Sequence, residues 1–159
     1  MENLDTGDEP LFVWGAKFSH VTLTGNFGRL VINSSVNPPA IPIGDSEEFK
    51  MANTPQATTD WTLDISNAHA QELTLRGIQA QYVRIDPQTQ AIVRREMVPR
   101  NSRWKSACSG TWWFNSIEAM MKSDQDDVLL ITPRSRPDAD VFIRAIEELR
   151  NLGIADMPE

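Results

Sequence analysis

The order of apolar patterns along the chain is the feature that most limits its fold. Before residue 100, apolar and polar residues alternate, most regularly over 21–24 and 61–65. A period of two predicts strands with one buried face. After residue 109 the apolar residues recur every three or four positions, which predicts amphipathic helices. Strands followed by helices are typical of an α+β fold, so we predict a β-rich part over 11–100 and a helical part over 109–153.

The turns in the β-rich part predict how its strands pair. Gly25-Asn26 has the composition of a tight hairpin turn. A second hairpin is predicted from strands over 73–85 and 91–98, with Gly77 as a bulge in the first of them. Parallel strands need long crossover connections, whereas these connections are short. We therefore predict a largely antiparallel β-sheet, in one layer or two.

The helical part predicts a helix, a short strand and a second helix. The first helix follows a capping pattern at 109–111, and the strand is the apolar run over 128–131. The second helix begins with the capping-box pattern formed by Ser135 and Asp138, and it ends before Gly153, a residue type that commonly terminates helices. We predict that this helix–strand–helix unit completes the domain.

Size, charge and cysteine content predict one soluble domain. The 159 residues suit a single domain over 11–159, and residues 1–10 have the composition of an acidic, flexible tail. The formal net charge is -7 and the pI about 4.8, which favours solubility and repels anionic membranes. The chain has one cysteine, no basic apolar leader and no apolar run of transmembrane length. We predict a cytoplasmic protein without disulfides or a membrane partner.

Residues 35–60 are rich in proline and polar residues and carry no regular pattern. An irregular stretch of this length is unusual inside a compact domain and is often functional. One interpretation is a surface crossover between two layers of sheet. The other is a binding loop anchored by Ile41, Ile43 and Phe49. The sequence leaves both interpretations open.

The sequence contains no catalytic, metal or cofactor motif: it lacks a phosphate-binding loop, a dinucleotide fingerprint and a serine elbow. Two histidines and one cysteine give no zinc spacing, and the clustered aspartates lack the pattern of a calcium loop. We therefore predict no cofactor, no metal and no catalytic residue set. Cys108 keeps one enzymatic alternative open, because it precedes a predicted helix, where the pKa of a thiol is lowered.

Positive charge is concentrated in one segment of this acidic chain. Residues 76–105 contain seven bases and two acids and net +5, while the whole chain carries -7. Three tryptophans lie at or just beyond the end of this segment. Arginine and tryptophan are enriched in the energetic centres of protein interfaces, and bases with aromatics also track phosphate backbones. The predicted partner- or phosphate-binding residues are Arg84, Arg94, Arg95, Arg100, Arg103, Trp104, Lys105 and Trp112.

These features support three hypotheses for function. The first is a non-catalytic protein–protein interaction or assembly subunit, such as an adaptor, an immunity-type inhibitor or a component of a larger complex, with another protein or a second copy as its partner. It follows from the uneven charge, the long irregular segment and the missing catalytic set. The second is binding of nucleic acid or a phosphate ligand through a basic and aromatic face over 76–113. The third is a small thiol enzyme that uses Cys108.

Overall fold

The computed structural model describes residues 2–3, 5–6, 9–16, 18–33, 61–76, 78–98, 103–123 and 125–156. The predicted loop over 35–60, the bulge at Gly77 and the site residue Arg100 lie outside these residues. None of the helices within them is long and apolar enough to cross a membrane. The elements are β1 (Leu11–Trp14), β2 (Val21–Asn33), β3 (Leu63–Arg76), β4 (Val83–Arg84), β5 (Gln90–Arg94), α1 (Arg103–Ala107), α2 (Trp113–Lys122), β6 (Asp127–Ile131) and α3 (Ala139–Asn151).

The larger sheet, sheet A, corrects the predicted pairing. Its order is β1-β2-β3-β4, and each neighbouring pair is parallel. The prediction of a largely antiparallel sheet is therefore wrong, and the fold is mixed α/β with a mostly parallel sheet. The predicted hairpin at Gly25-Asn26 is also wrong, since β2 continues through both residues. Antiparallel pairing joins β5 to β6, which form the small sheet B.

The spacing of paired residues requires the long strands of sheet A to bend. Trp14, the last residue of β1, lies beside Asn33, the last residue of β2. The chain from Trp14 to Val21, the first residue of β2, takes seven residue steps and spans at most about 25 Å, so Val21 cannot lie much farther than this from Asn33. A straight β2 would place Val21 about 40 Å from Asn33. β2 is therefore bent. The same geometry bends β3, because β4 begins seven positions after the end of β3 and pairs with its first residues.

Successive bent strands stack on one another as the coils of a short β-solenoid do. Leu11 pairs with Leu30, 19 positions later, and Leu63 pairs with Val83, 20 positions later. A coil of this length returns the chain to its starting edge and gives a parallel pair without a helical crossover. The short connections predicted antiparallel pairing, but in this chain bent strands give parallel pairs with connections of the same length.

Gly25 and Gly28 of β2 let the N-terminal segment approach the strand closely, and this contact explains why the turn-like sequence Gly25-Asn26 continues as a strand. Gly25 has a φ of 80°, and a Cβ at this position would overlap the side chain of Asn3. A Cβ at Gly28 would likewise overlap Thr6. The Asn3 and Thr6 side chains accept hydrogen bonds from backbone N–H groups of β2, at 2.8 and 2.9 Å. Asn3 and Thr6, both in the predicted N-terminal tail, therefore contact β2 directly.

The second predicted hairpin has the predicted turn but a different partner strand. The turn at 86–89 is confirmed, and the Asp86 carboxylate accepts hydrogen bonds from the Gln88 N–H and the Thr89 hydroxyl. The next strand, β5, pairs with β6 and not with β4, so the predicted pairing is wrong. β6 is apolar on both faces, and its place beside β5 gives both faces a buried environment.

Sheet B separates the two hydrophobic cores of the molecule. Side chains alternate along β6, so Leu129 and Ile131 pack against the coils of sheet A while Leu130 packs against the helices. The helix core includes Trp113 and Ile146, which are 2% and 0% exposed. The molecule thus has three layers, which are the coils, sheet B and the helices.

The predicted helix, strand and helix of the C-terminal third occur in that order as α2, β6 and α3, but the short helix α1 before them was not predicted. The N-cap residue of α2 is Trp112, which makes no side-chain capping bond. The Thr111 hydroxyl oxygen accepts a hydrogen bond from the Trp113 N–H (3.3 Å), and Gly153 follows α3 with a φ of 69°. The predicted capping box is wrong, because no side chain caps the start of α3. The Ser135 hydroxyl instead donates a hydrogen bond to the carbonyl oxygen of His69 (2.9 Å), which ties the connection between β6 and α3 to β3.

Candidate functional site

Arg95, one of the predicted site residues, is hydrogen-bonded to the backbone of the same chain. Its guanidinium donates hydrogen bonds to four carbonyl oxygens at or just after the end of α2. They belong to Met120, Met121, Ser123 and Gln125. The last carbonyls of a helix have no donor within the helix, so they need one from elsewhere. Arg95 therefore caps the carboxyl end of α2.

Arg94 and Lys105 are paired with carboxylates of the same chain. Arg94 Nη2 lies 3.1 Å from Asp156 Oδ2, and this contact raises the pKa of Arg94. Lys105 Nζ lies 3.6 Å from Glu118 Oε1 and 5.0 Å from the centre of the Phe114 ring. Part of the charge that distinguished segment 76–105 in the sequence is therefore neutralised by neighbouring side chains.

The two tryptophans predicted in the site differ in exposure. Trp104 is 5% exposed and stacks on Phe114 with the ring centres 5.6 Å apart, so it belongs to the helix core. Trp112 is partly buried, with its ring centre 4.5 Å from that of Phe142. The Arg136 guanidinium carbon lies 5.3 Å from the Trp112 ring centre. Trp112 is thus held in one position while part of it lines a cleft.

Arg84 and Arg103 lie on other elements. Arg84 is on β4, and its guanidinium carbon lies 4.6 Å from the centre of the Trp61 ring. Arg103 is exposed at the start of α1. The predicted site residues that the structure describes therefore contact different neighbours. Two of them, Trp112 and Arg94, line two adjoining clefts.

A cleft of about 570 Å³ lies between β3 and α2, and we call it the β3–α2 cleft. Its β3 wall is Glu72–Arg76, five consecutive residues. Its α2 wall includes Asn115, Ser116 and Ala119, and Leu129 of β6 contributes to its apolar floor. A volume of this size is within the range of about 300–1,000 Å³ that is usual for binding sites.

A second cleft, of about 430 Å³, continues the first along β6, and we call it the acidic extension. The two share four lining residues, of which two belong to β6. Arg94, Asp126 and Asp127 line the acidic extension. Burial raises the pKa of Asp127, while a hydrogen bond from the Ala80 N–H (3.3 Å) and the charge of Arg94 act in the opposite direction. The acidic extension therefore holds a carboxylate, Asp127, whose loss of hydration is only partly offset by its hydrogen bond and by the nearby positive charge.

The outer edge of β3, away from β2, is covered as far as the β3–α2 cleft. Strand carbonyls lie in the plane of the sheet and point to one of its two edges. β4 pairs with the first two residues of β3, and the Gln90 side chain donates a hydrogen bond to the Ile65 carbonyl (2.9 Å). The Ser135 N–H donates one to the Ala70 carbonyl (3.4 Å). Beyond Ala70 the described residues supply no further partner along this edge, and Glu72–Arg76 border the cleft.

The part of the chain that the structure describes holds no group of three His, Cys, Asp or Glu side chains placed to share a metal ion. Cys108 is 1% exposed within the helix core. Burial raises the pKa of its thiol to about 11, with a smaller contribution from Glu148. A reactive thiolate requires the opposite shift. The geometry therefore gives no support to the thiol-enzyme hypothesis.

The cleft could not be predicted from the sequence, because no motif marks it. Its one local signal is the surface of α2, where Asn115, Ser116 and Ala119 place small side chains next to Trp113 and Ile117. Small side chains on a helix face are also common where a helix simply faces solvent, so this signal is weak. The opposite wall comes from a strand far earlier in the chain, and local periodicity carries no information about that contact.

Two adjoining clefts and a stretch of the β3 edge that no described residue covers are thus the structural basis for a functional proposal. They bring together β3, α2 and β6, which are distant in sequence. Comparison of this chain with protein-family models, with curated proteins and with solved structures gives no match.

Proposed function

We propose that this chain is a non-catalytic interaction subunit whose β3–α2 cleft holds part of a partner protein. The observation that carries the proposal is the wall formed by Glu72–Arg76, which presents the edge of β3 to the cleft. Backbone N–H and C=O groups at a strand edge pair readily with another polypeptide. Leu73, Leu75 and Leu129 line the cleft and are 6%, 8% and 8% exposed, so they add a small apolar surface that a partner would cover.

The charges around the clefts favour a protein over a nucleic acid as the partner. Asp126 and Asp127 line the acidic extension and repel phosphate groups, whereas the β3–α2 cleft is lined by one acid, Glu72, and one base, Arg76. Arg94 and Arg95, which the nucleic-acid hypothesis requires, are bonded within the chain. The protein as a whole carries a net charge of -7. We therefore propose a protein ligand for this site and not a phosphate backbone.

Two arginine substitutions on α2 test this function. Ala119 lines the β3–α2 cleft and Met121 does not, and both side chains are exposed on the same helix. Ala119→Arg fills the cleft with a large charged side chain, whereas Met121→Arg adds the same charge outside it. Tagged full-length chains are recovered from the cells that make them, and their complexes are weighed by native mass spectrometry.

We expect a defined complex with the unmodified chain and with Met121→Arg, and loss of that complex with Ala119→Arg at an unchanged melting temperature. A partner that Ala119→Arg still retains would contradict the assignment of the cleft. Bare monomers from all three chains would overturn the proposed function. The cytoplasmic location stays a prediction, and fractionation of the same cells tests it.

A further inference from the structure

We propose that the β3–α2 cleft takes an extended segment of the partner protein, which adds to β3 as a strand along Glu72–Arg76. The inference rests on the proposed function, since it names the form of partner that the cleft holds. A helix and a second copy of this chain are the competing occupants. Three observations favour a strand.

The first observation is that five consecutive residues of β3 border the cleft. Successive side chains of a strand point to opposite faces, so a ligand lying on one face contacts every second residue. Contact with 72–76 in unbroken order instead places the ligand at the edge of the strand, in the plane of sheet A. The groups at such an edge are N–H donors and C=O acceptors spaced for another extended backbone.

The second observation is that this edge already binds polypeptide at earlier positions. β4 extends the sheet there, and Gln90 and Ser135 bond to the carbonyls of Ile65 and Ala70. The cleft begins where these partners end. Five residues of strand extend over about 17 Å, which is long enough for a short added strand to bond with alternate residues of β3.

The third observation is the apolar surface beside the edge. Leu73, Leu75 and Leu129 line the cleft and are 6%, 8% and 8% exposed, so each retains a small part of its surface for a partner. An added strand directs every second side chain toward the same face of the sheet. We therefore expect apolar residues at alternate positions of the partner segment, facing these leucines.

The acidic extension adds a charge preference at one end of the segment. It shares Leu75 with the β3–α2 cleft, so it lies toward the carboxyl end of β3. Asp126 and Asp127 line it, and Arg94, the base beside them, is engaged by Asp156 at 3.1 Å. A lysine or arginine in the partner segment would complement these carboxylates. We expect the segment to be basic at this end.

The probe for this inference is a set of peptides selected from a random display library, about twelve residues long, against the folded full-length chain. Each selected peptide is synthesised with single N-methyl groups along its backbone, because each methyl group removes one N–H donor and leaves the side chain unchanged. Strand addition predicts that methylation at alternate positions weakens binding about tenfold. Methylation at the positions between is expected to weaken it less than about twofold.

Three further readouts place the peptide. Hydrogen exchange at the amides of 72–76 is expected to slow on binding. Ala119→Arg is expected to abolish binding, while Met121→Arg leaves it unchanged. Asp126→Asn combined with Asp127→Asn is expected to weaken binding of basic peptides about fivefold and to reduce its dependence on salt.

The outcomes separate this inference from the proposed function. Peptides that Ala119→Arg blocks, but that show neither the alternating pattern nor protection of 72–76, would overturn strand addition and leave the cleft as a protein-binding site. Selection of helix-forming peptides, or a native mass of two copies of this chain, would overturn it by naming another occupant. A library that yields no binder would also overturn it. The Ala119 and Met121 variants would then decide the proposed function alone.

Discussion

Replacing Gln90 is expected to weaken the connection between the two sheets. Gln90 begins β5 and is 0% exposed. Its Nε2 donates a hydrogen bond to the Ile65 carbonyl of β3 (2.9 Å), and its Oε1 accepts one from the Asp86 N–H (3.1 Å). This single side chain joins sheet A to the turn that precedes sheet B.

Gln90→Leu removes both hydrogen bonds and leaves two backbone groups without partners. A buried group that loses its partner costs about 1–3 kcal/mol, and the Asp86 N–H, which is only partly buried, costs less than the buried Ile65 carbonyl. We therefore expect the free energy of unfolding to fall by about 2–5 kcal/mol. For a chain of this length, that loss lowers the melting temperature by about 5–15 °C. A change of this size is a large fraction of the stability of a typical domain, which is about 5–15 kcal/mol.

Gln90→Glu tests the donor alone, because glutamate has nearly the same shape. Its protonated carboxyl group donates to the Ile65 carbonyl, whereas its carboxylate cannot donate and is buried. The fold therefore raises the pKa of the new glutamate above its unfolded value of about 4.3. Below about pH 4.3 the new glutamate is protonated in both states, so its ionisation does not lower the free energy of unfolding. As the pH rises from there toward the folded-state pKa, the free energy of unfolding falls. Each unit between the two pKa values costs about 1.4 kcal/mol.

Urea unfolding at about pH 4.5, 6 and 7.5, followed by tryptophan fluorescence, measures these differences. Gln88→Leu is the matched control, since Gln88 is exposed in the adjacent turn. We expect the control to lie within about 0.5 kcal/mol of the unmodified chain. The reasoning is refuted if Gln90→Leu is equally close, or if the deficit of Gln90→Glu is the same at all three pH values.

Two further predictions concern residues that the sequence suggested for a site. Arg95→Ala is expected to lower the free energy of unfolding by about 1–3 kcal/mol in the same urea assay, because carbonyls at the end of α2 lose their donor, and an unchanged midpoint would contradict the capping role. Cys108, with a pKa of about 11, is expected to react with iodoacetamide at pH 7.4 about 300 times more slowly than an ordinary thiol of pKa about 8.5. Its rate is expected to rise up to about pH 11, and an ordinary rate in the folded chain would contradict its burial.

The helices and one turn were predictable because their signals are local. The apolar positions of α3 and the glycine after it lie within one stretch of chain, and the turn at Asp86 is closed by its own neighbours. Strand pairing has no such signal. Leu30 lies beside Leu73 in sheet A, yet neither residue nor its neighbours in sequence indicate the other or the parallel direction. Bent strands then allowed parallel pairs at spacings that straight strands could not reach.

The candidate site was predictable only in part, for a related reason. Counting charges found Arg94, Arg95 and Lys105 but not their partners, because the Asp156 and Glu118 carboxylates and the carbonyls of α2 are distant in sequence. A backbone carbonyl that needs a hydrogen-bond donor from elsewhere in the fold has no signature in the amino-acid sequence. The same applies to an uncovered strand edge, which depends on where neighbouring strands stop.

The spacing of the coils also has a consequence for the order of folding. Pairing of β1 with β2 joins Leu11 to Leu30, 19 positions apart, whereas pairing of β2 with β3 joins Val21 to Leu63, 42 positions apart. Loop-closure entropy grows with the logarithm of loop length, so the longer closure costs about 0.7 kcal/mol more, a factor of about three in rate. Local helical contacts form before such long-range pairs. The helical layer is therefore expected to assemble first, and the meeting of β2 with β3 to be the slow step that completes the molecule.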